Sequence, residues 1–404
     1  MTKLEAKVAG VAAETPRRAL IIGAGPGGLT AAIALRRVGI DAAVFERLTD
    51  IGQAPGGLAV QSNALRALMR VGVADVVTRV GTALRSTEIY SSRGQMILQL
   101  PVGEVTDALG APTLAVSRGE LQLALSTALD NGVLRLGWEC TALEQDADGV
   151  TAHFADGATE RGALLIGADG GRSVVRKHVY GDADAPRRYS GVTAWRSVAA
   201  TDDDVLPPGT IRFYYGAGRQ FTLAALGDRR AFWGALNTEP AGGSDPPAGI
   251  GQVLCDLLRD FPAVTREVVE ATEEAGIIRT DVYDRDPEST WIKGRVVLLG
   301  DAAHLTTPFV GEGASITIED AVVLAKELAL TEGLRDQEML GAALKAYERV
   351  RLPRGRDTVM ASRRIGRVYL SGNPVLTRVR DTVMSRLPAR TRRSMIERSY
   401  GNEV

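Results

Sequence analysis

The chain has 404 residues, 45% apolar and 24% charged, with a formal net charge of -1. That length holds about two to three domains, and the near-neutral balance gives no electrostatic footprint for nucleic acid. No apolar run approaches the roughly 18 residues that a membrane helix needs. Two cysteines (Cys140, Cys255) and three scattered histidines (His153, His178, His304) offer neither a disulfide framework nor a converging metal set.

The first seventeen residues contain Glu5 and Glu14 and lack a signal-peptide core, which reads as a short disordered leader on a cytoplasmic protein. Residues 18–23 (RALIIG) predict a buried strand, 24–38 a helix with Pro26 in its first turn, and 41–46 (DAAVFE) a second strand. This β-α-β unit carries Gly23-x-Gly25-x-x-Gly28. Gly23 serves the tight turn, Gly25 admits a pyrophosphate to the backbone, and Gly28 lets helix and strand pack closely. Glu46 ends the next strand 18 residues beyond Gly28, where a carboxylate accepts ribose hydroxyls and repels a 2′-phosphate. The pattern suits FAD or NAD. A Gly-rich loop follows at 50–57, and helices are predicted at 61–71 and 117–129. Strands broken by Asp/Gly turns fill 133–166, ending at "LLIGADGGRS". Residues 190–237 are rich in strand-forming aromatics, and a helix is expected at 253–258.

Near the end, "GRVVLLGDAAHLTTPFVGEG" sets Asp301 at the close of an apolar strand. Either Asp301 caps the next turn, or it accepts a hydroxyl of the ribityl chain that distinguishes FAD from NAD. Gly311, Gly313 and Ala314 open a helix whose amides would face the flavin's N1–C2=O edge. Beyond residue 337 the chain reads as helical. From Arg349 to Arg398 it holds 14 arginines and no lysine, which we read as an amphipathic cover over the nucleotide domain, with a lipid or nucleic-acid patch as the alternative.

Three segments, "IIGAGPGGLTAAIALRRVGIDAAVFER", "LLIGADGGRSVVRK" and "GRVVLLGDAAHLTTPFVGEGASITIEDAVVLAKEL", resemble in order and spacing the fingerprints of the FAD-dependent aromatic hydroxylases. "YERVRLPR" at 347–354 is similar to that family's tail. The resemblance implies an α/β fold: a Rossmann-like FAD-binding domain with an inserted mixed β-sheet substrate domain and a helical C-terminal region. We expect the FAD domain at 17–80, 111–185 and 277–335, the substrate domain at 81–110 and 186–276, and the tail at 336–404.

By the same resemblance, Gly23, Gly25, Gly28, Glu46 and Arg47 hold the ADP half of FAD. Arg118 and Gln122 reach the flavin side, Asp169 joins FAD and nicotinamide binding, and Asp301 takes the ribityl chain. Pro308, Gly311, Gly313 and Ala314 line the ring. Leu305 and Glu312 depart from the family pattern and are expected to reshape the flavin pocket. The implied activity is a monooxygenase: NADH or NADPH reduces FAD, O2 adds at flavin C4a, and a hydroxyl passes to an aromatic or polyketide-like substrate. Epoxidation or another FAD oxidoreduction on the same fold is the alternative. We expect a monomer or homodimer. Trp195, Tyr215, Phe221, Thr222, Phe232 and Pro308 are the expected pocket wall, with Thr193 and Arg196 as further polar options. Arg219, Gln220, Tyr215 and His304 are the candidates for catalysis, His304 more readily as a structural residue.

Overall fold

The computed structural model describes residues 17–54, 56–246, 248–331, 334 and 336–402. Apart from Arg17, the expected leader lies outside them. The chain assembles a parallel sheet from strands far apart in sequence. Arg18–Ile22 lies at its middle, flanked by Leu164–Gly167 and then Val296–Leu298 on one side, and by Asp41–Glu46 and Leu134–Leu136 on the other. All four of these pairings are parallel, so every strand ends at the same edge. Ile292–Lys293 closes the sheet with one antiparallel pairing. The central strands are buried on both faces, which explains their unbroken apolar runs.

Helix Pro26–Arg37 starts at Gly25 and helix Gly313–Leu330 packs beside it. Gly23 has a φ of +104°, open to glycine at little cost, and a Cβ on Gly28 would overlap the Gly23 carbonyl. These contacts draw the helix down onto the strand.

A second sheet of seven strands stands against this unit. Its order is Ile278–Asp284, Arg188–Ala200, Arg230–Thr238, Arg219–Gly227, Thr210–Tyr215, Ser86–Ser91 and Met96–Leu100. One face carries Trp195, Phe221, Leu223 and Trp233 against helices Ile250–Leu257 and Ala263–Glu270. The other turns toward the nucleotide-binding sheet. Ile278–Asp284 pairs with Arg188–Ala200, which corrects the boundary expected at 277: the substrate sheet extends to Asp284. Likewise Thr82–Leu84 joins Gly57–Val60 and Thr113–Ser117 in a small separate sheet, not the substrate sheet.

The tail forms helices Gln337–Tyr369, Pro374–Ser385 and Ala389–Tyr400. "YERVRLPR" lies inside the first. Tyr347 donates its hydroxyl to Leu298 O at 3.1 Å, clamping that helix to the strand before Asp301. Ile396 and Tyr400 pack with Leu84, Val102 and Ala115. The first helix covers the nucleotide-binding sheet as expected, whereas the third packs on residues of the substrate side. The second touches the body mainly through Arg380 and Met384. No described helix is long and apolar enough to cross a membrane.

Candidate functional site

Because the strands are parallel, the residues after Ile22, Glu46, Gly167 and Leu298 collect at one carboxyl edge, where ligands of open α/β sheets bind. Gly23, Gly25, Glu46, Asp169 and Asp301 all lie there. A Cβ on Gly25 would meet no atom within 4 Å, so space lies in front of the helix N-terminus. That N-terminus has no side-chain cap, which leaves its amides directed at the same space. Glu46 is 9% exposed and accepts N–H groups from Ala24 at 2.8 Å and Leu48 at 2.9 Å, one on each carboxylate oxygen. Each oxygen keeps lone-pair capacity for a further donor. Arg47 is exposed beside it.

Gln122 donates Nε2–H to Ala24 O at 2.7 Å, while its buried Oε1 has no partner. Asp301 starts the four-residue helix Asp301–His304 and keeps a partly accessible surface. Burial pushes its carboxyl pKa up; the charges of His304 and Arg118 oppose this, and no hydrogen bond contributes. A largely buried carboxylate without a hydrogen-bond donor is costly. The sugar-like hydroxyls of a ribityl chain would supply that donor.

Asp169 is differently employed. It accepts from Ser173 Oγ at 2.5 Å and from Val174 N at 2.7 Å, capping helix Val174–Tyr180. Burial raises its pKa against these hydrogen bonds. Its capacity for ligand is therefore smaller than that of Asp301.

Pro308 and Gly311 are exposed in the turn before helix Gly313–Leu330, with Gly313 and Ala314 half-buried at its start. Glu312 turns away from them: it is 6% exposed, pairs with Arg354 at 2.7 Å and accepts from Ser399 of the last helix. Leu305 packs onto Gly171, where a Cβ would come within 2.9 Å of Leu305 Cδ1. The expectation that both side chains reshape the flavin pocket is corrected; they brace the turns around it.

His304 is 4% exposed, and its Nε2 lies 2.6 Å from Asp320 Oδ2. Arg351 donates to Asp320 at 2.8 Å and to Glu319 at 2.7 Å. This buried network lies under the helix that faces the cofactor edge. His304 is thereby engaged as a structural residue, and its ring rests 5.3 Å from that of Trp291.

The β register decides which substrate-sheet residues share a face. Arg196 pairs with Gly234, Gly234 with Thr222, and Thr222 with Phe213. Cross-strand partners point to one side. The neighbouring rows, Ala194–Leu236–Gln220–Tyr215 and Val198–Phe232–Ala224–Ile211, share that side. Phe309 packs over Val192, Ala194 and Leu236, and Phe232 sits against Gly57, where a Cβ would come within 2.7 Å of its ring. This is the face toward the cofactor edge.

Trp195, Thr193, Phe221 and Arg219 fall on the opposite face, which corrects their expected place beside Phe232. Trp195 donates its indole N–H to Asp245, Thr193 bonds Asp281, and Arg219 is held by Leu257 O and Asp260. A groove of about 690 Å³ opens on that far side, lined in part by Trp195, Asp245 and Arg279, away from Asp301. Tyr215 is on the cofactor side but is 7% exposed, covered by Tyr369, Arg380 and Met384.

Sequence reasoning missed Gln61 and Phe309. Gln61 donates Nε2–H to Gly311 O at 3.3 Å and leaves its buried Oε1 free. Its position between a strand and a helix is visible in sequence; its contact 250 residues away is not.

A parallel sheet whose carboxyl edge combines an open helix N-terminus, a ribose-ready glutamate and a second, donorless aspartate defines an FAD-binding oxidoreductase. The family model described as an FAD binding domain matches residues 17–362. The chain is 37% identical over 381 residues to the aurachin C monooxygenase/isomerase of Stigmatella aurantiaca, covering 93% of this chain and 97% of that protein. It is 30% identical over 364 residues to the FAD-dependent urate hydroxylase of Mycolicibacterium vanbaalenii, covering 89% and 90%. Its fold matches Klebsiella pneumoniae HpxO complexed with FAD and uric acid, with a TM-score of 0.87, 30% identity and coverage of 94% and 96%. The chain belongs to the FAD-dependent aromatic hydroxylase family; it is a flavoprotein monooxygenase with FAD as cofactor, and NAD(P)H is the family's reductant.

Proposed function

We propose that this monooxygenase acts on a flat, electron-rich aromatic of one or two rings carrying an acidic hydroxyl, an enolised carbonyl or a carboxylate. The observation that carries this reading is the row Arg196–Gly234–Thr222. Gly234 contributes no side chain, and a Cβ there would make only ordinary contacts, 3.6 Å from Phe232 and 3.8 Å from Arg196. Arg196 and Thr222 stand two strand spacings apart, about 10 Å. That gap takes a ring or a fused pair. The HpxO complex with uric acid supports a ligand of ring size.

Arg196 supplies the electrostatics. Burial, with the nearby Arg118, lowers its pKa. Its guanidinium donates to a neutral group, Thr280 Oγ1, at 2.6 Å. An anionic oxygen would relieve this positive, desolvated spot. Holding a phenol as phenolate also enriches the ring carbons that an electrophilic oxygen attacks. FAD, when bound, takes reducing equivalents from NAD(P)H and activates O2. Thr222 and Gln220, linked at 2.9 Å, offer a second polar contact that fixes ring orientation. Phe232 and Phe309 close the flanks and exclude water. Glu46 and Asp301 hold the two halves of the dinucleotide, and the charge of Arg118 acts on both Asp301 and Arg196.

The test is Arg196→Met assayed on a panel of phenolic and carboxylated aromatics. With FAD content unchanged, kcat/KM for anionic substrates should fall about tenfold to a hundredfold, the weight of one charge-assisted hydrogen bond. An unchanged kcat/KM for every accepted substrate contradicts the assignment of Arg196.

A further inference from the structure

Helix Pro374–Ser385 is largely exposed, with only Arg380 and Met384 buried. Its inner side is Arg380 and Met384, packed against Tyr215 and Tyr369. Its outer side carries Val375, Leu376, Val379 and Val383, exposed at 64%, 56%, 55% and 58%. Val375, Val379 and Val383 recur at i, i+4 and i+8, so they form one stripe. Val368, at the end of the preceding helix, is also exposed, at 53%. Valine is a poor choice for a solvated helix face, both for helix propensity and for the apolar area left in water.

Five exposed arginines lie on or next to this helix in sequence: Arg378 within it, Arg386 at its end, Arg364 and Arg367 late in the preceding helix, and Arg390 early in the next. Among the described residues none has a carboxylate partner. The ion pairs nearby are Arg380 with Asp381 and Arg393 with Glu397, which leave those five charges uncompensated. The whole chain carries a net charge of -1, so this is a local concentration of positive charge and not a general property of the surface.

We propose that the outer face of Pro374–Ser385 docks this enzyme on an anionic phospholipid bilayer. An apolar stripe flanked by arginines suits the boundary between lipid tails and headgroups. A second copy of the chain fits less well, since symmetric contact would bring the same arginines face to face. The mode is peripheral, because no described helix can cross the bilayer. The docked face also has a place in the chemistry. Arg380 and Met384 bear on Tyr215, and Tyr215 pairs with Gln220 on the substrate face. The helix thus stands between a docked bilayer and Tyr215, at the end of the row beside Arg196–Gly234–Thr222, an arrangement suited to an aromatic with a greasy substituent.

The experiment uses the full-length FAD-loaded enzyme and sedimented vesicles of phosphatidylcholine, with or without an equal part of phosphatidylglycerol. The enzyme should pellet with the anionic vesicles, stay largely in solution with the neutral ones, and be released by high salt. Arg378→Gln and Arg386→Gln should each weaken partitioning about fivefold. Val379→Asp with Val383→Asp should abolish it while FAD content and activity on a water-soluble aromatic stay unchanged. The proposal is overturned if wild type ignores anionic vesicles, or if the double aspartate variant binds as well as wild type. It is equally overturned if gel filtration shows a dimer that this variant dissociates while vesicle binding is absent, which would make the face a contact between copies.

Discussion

Asp301 and Arg196 pose opposite electrostatic problems with the same solution. Each is an ionisable group that burial pushes toward its neutral form, and each faces the space between the two sheets. A ligand with donors for one and an anionic oxygen for the other removes both penalties. For Asp301 the sign can be worked out. Its folded pKa lies above 3.8, so in cofactor-free protein its contribution favours folding below that pH. The contribution is lost as pH rises through the folded value. Asp301→Asn should therefore raise the Tm of cofactor-free protein at neutral pH while weakening FAD binding about tenfold to a hundredfold. Flavin titration with paired thermal melts checks both parts. Unchanged affinity would leave Asp301 as no more than a turn residue.

At the scale of elements, the strands explain what was and was not legible in sequence. The glycines and Glu46 could be read directly because one local β-α-β unit positions them. A strand's period of two puts Phe221 and Thr222 on opposite faces, but does not say which face meets the cofactor. That choice is made by helices Ile250–Leu257 and Ala263–Glu270, which cover Trp195 and Phe221. Their chemistry as aromatics in strands looked the same as that of Phe232. His304 illustrates the converse: its place in the third fingerprint was plain, while its partner Asp320 lies 16 residues on, across a turn and into a helix. Burial alone pushes Asp320 up, but His304 and Arg351 pull its carboxyl below the ordinary value. Its stabilising effect is present above the unfolded value of 3.8 and is lost as pH falls through the folded one. Asp320→Ala leaves His304 without its buried partner and Arg351 with Glu319 alone, and should destabilise the protein by about 3 kcal/mol. Chemical denaturation at neutral pH measures this, and the difference from wild type should narrow in acid.

At the scale of the whole molecule, the C-terminal helices bind the two sheets together. Tyr347 and Arg351 anchor the first helix to the strand and helix around Asp301. The last reaches Glu312 through Ser399, and Arg66 donates to the carbonyls of Tyr400 and Asn402. Ile396 is 4% exposed among residues of the substrate side. Ile396→Ala should cost about 2–5 kcal/mol, read as a lower Tm with the flavin spectrum retained. This long-range assembly was legible only as helical periodicity, because the partners lie from 31 to 336 residues upstream.

The central claim is that FAD at the carboxyl edge delivers one oxygen atom to an aromatic held on the Arg196–Thr222 row. Turnover of an accepted aromatic under isotopically heavy O2, followed by mass spectrometry of the product, tests it most directly. The account predicts one heavy oxygen per product from wild type, and a sharply reduced yield from FAD-loaded Arg196→Met. A product whose new oxygen comes from water, or an undiminished labelled yield from Arg196→Met, would contradict it.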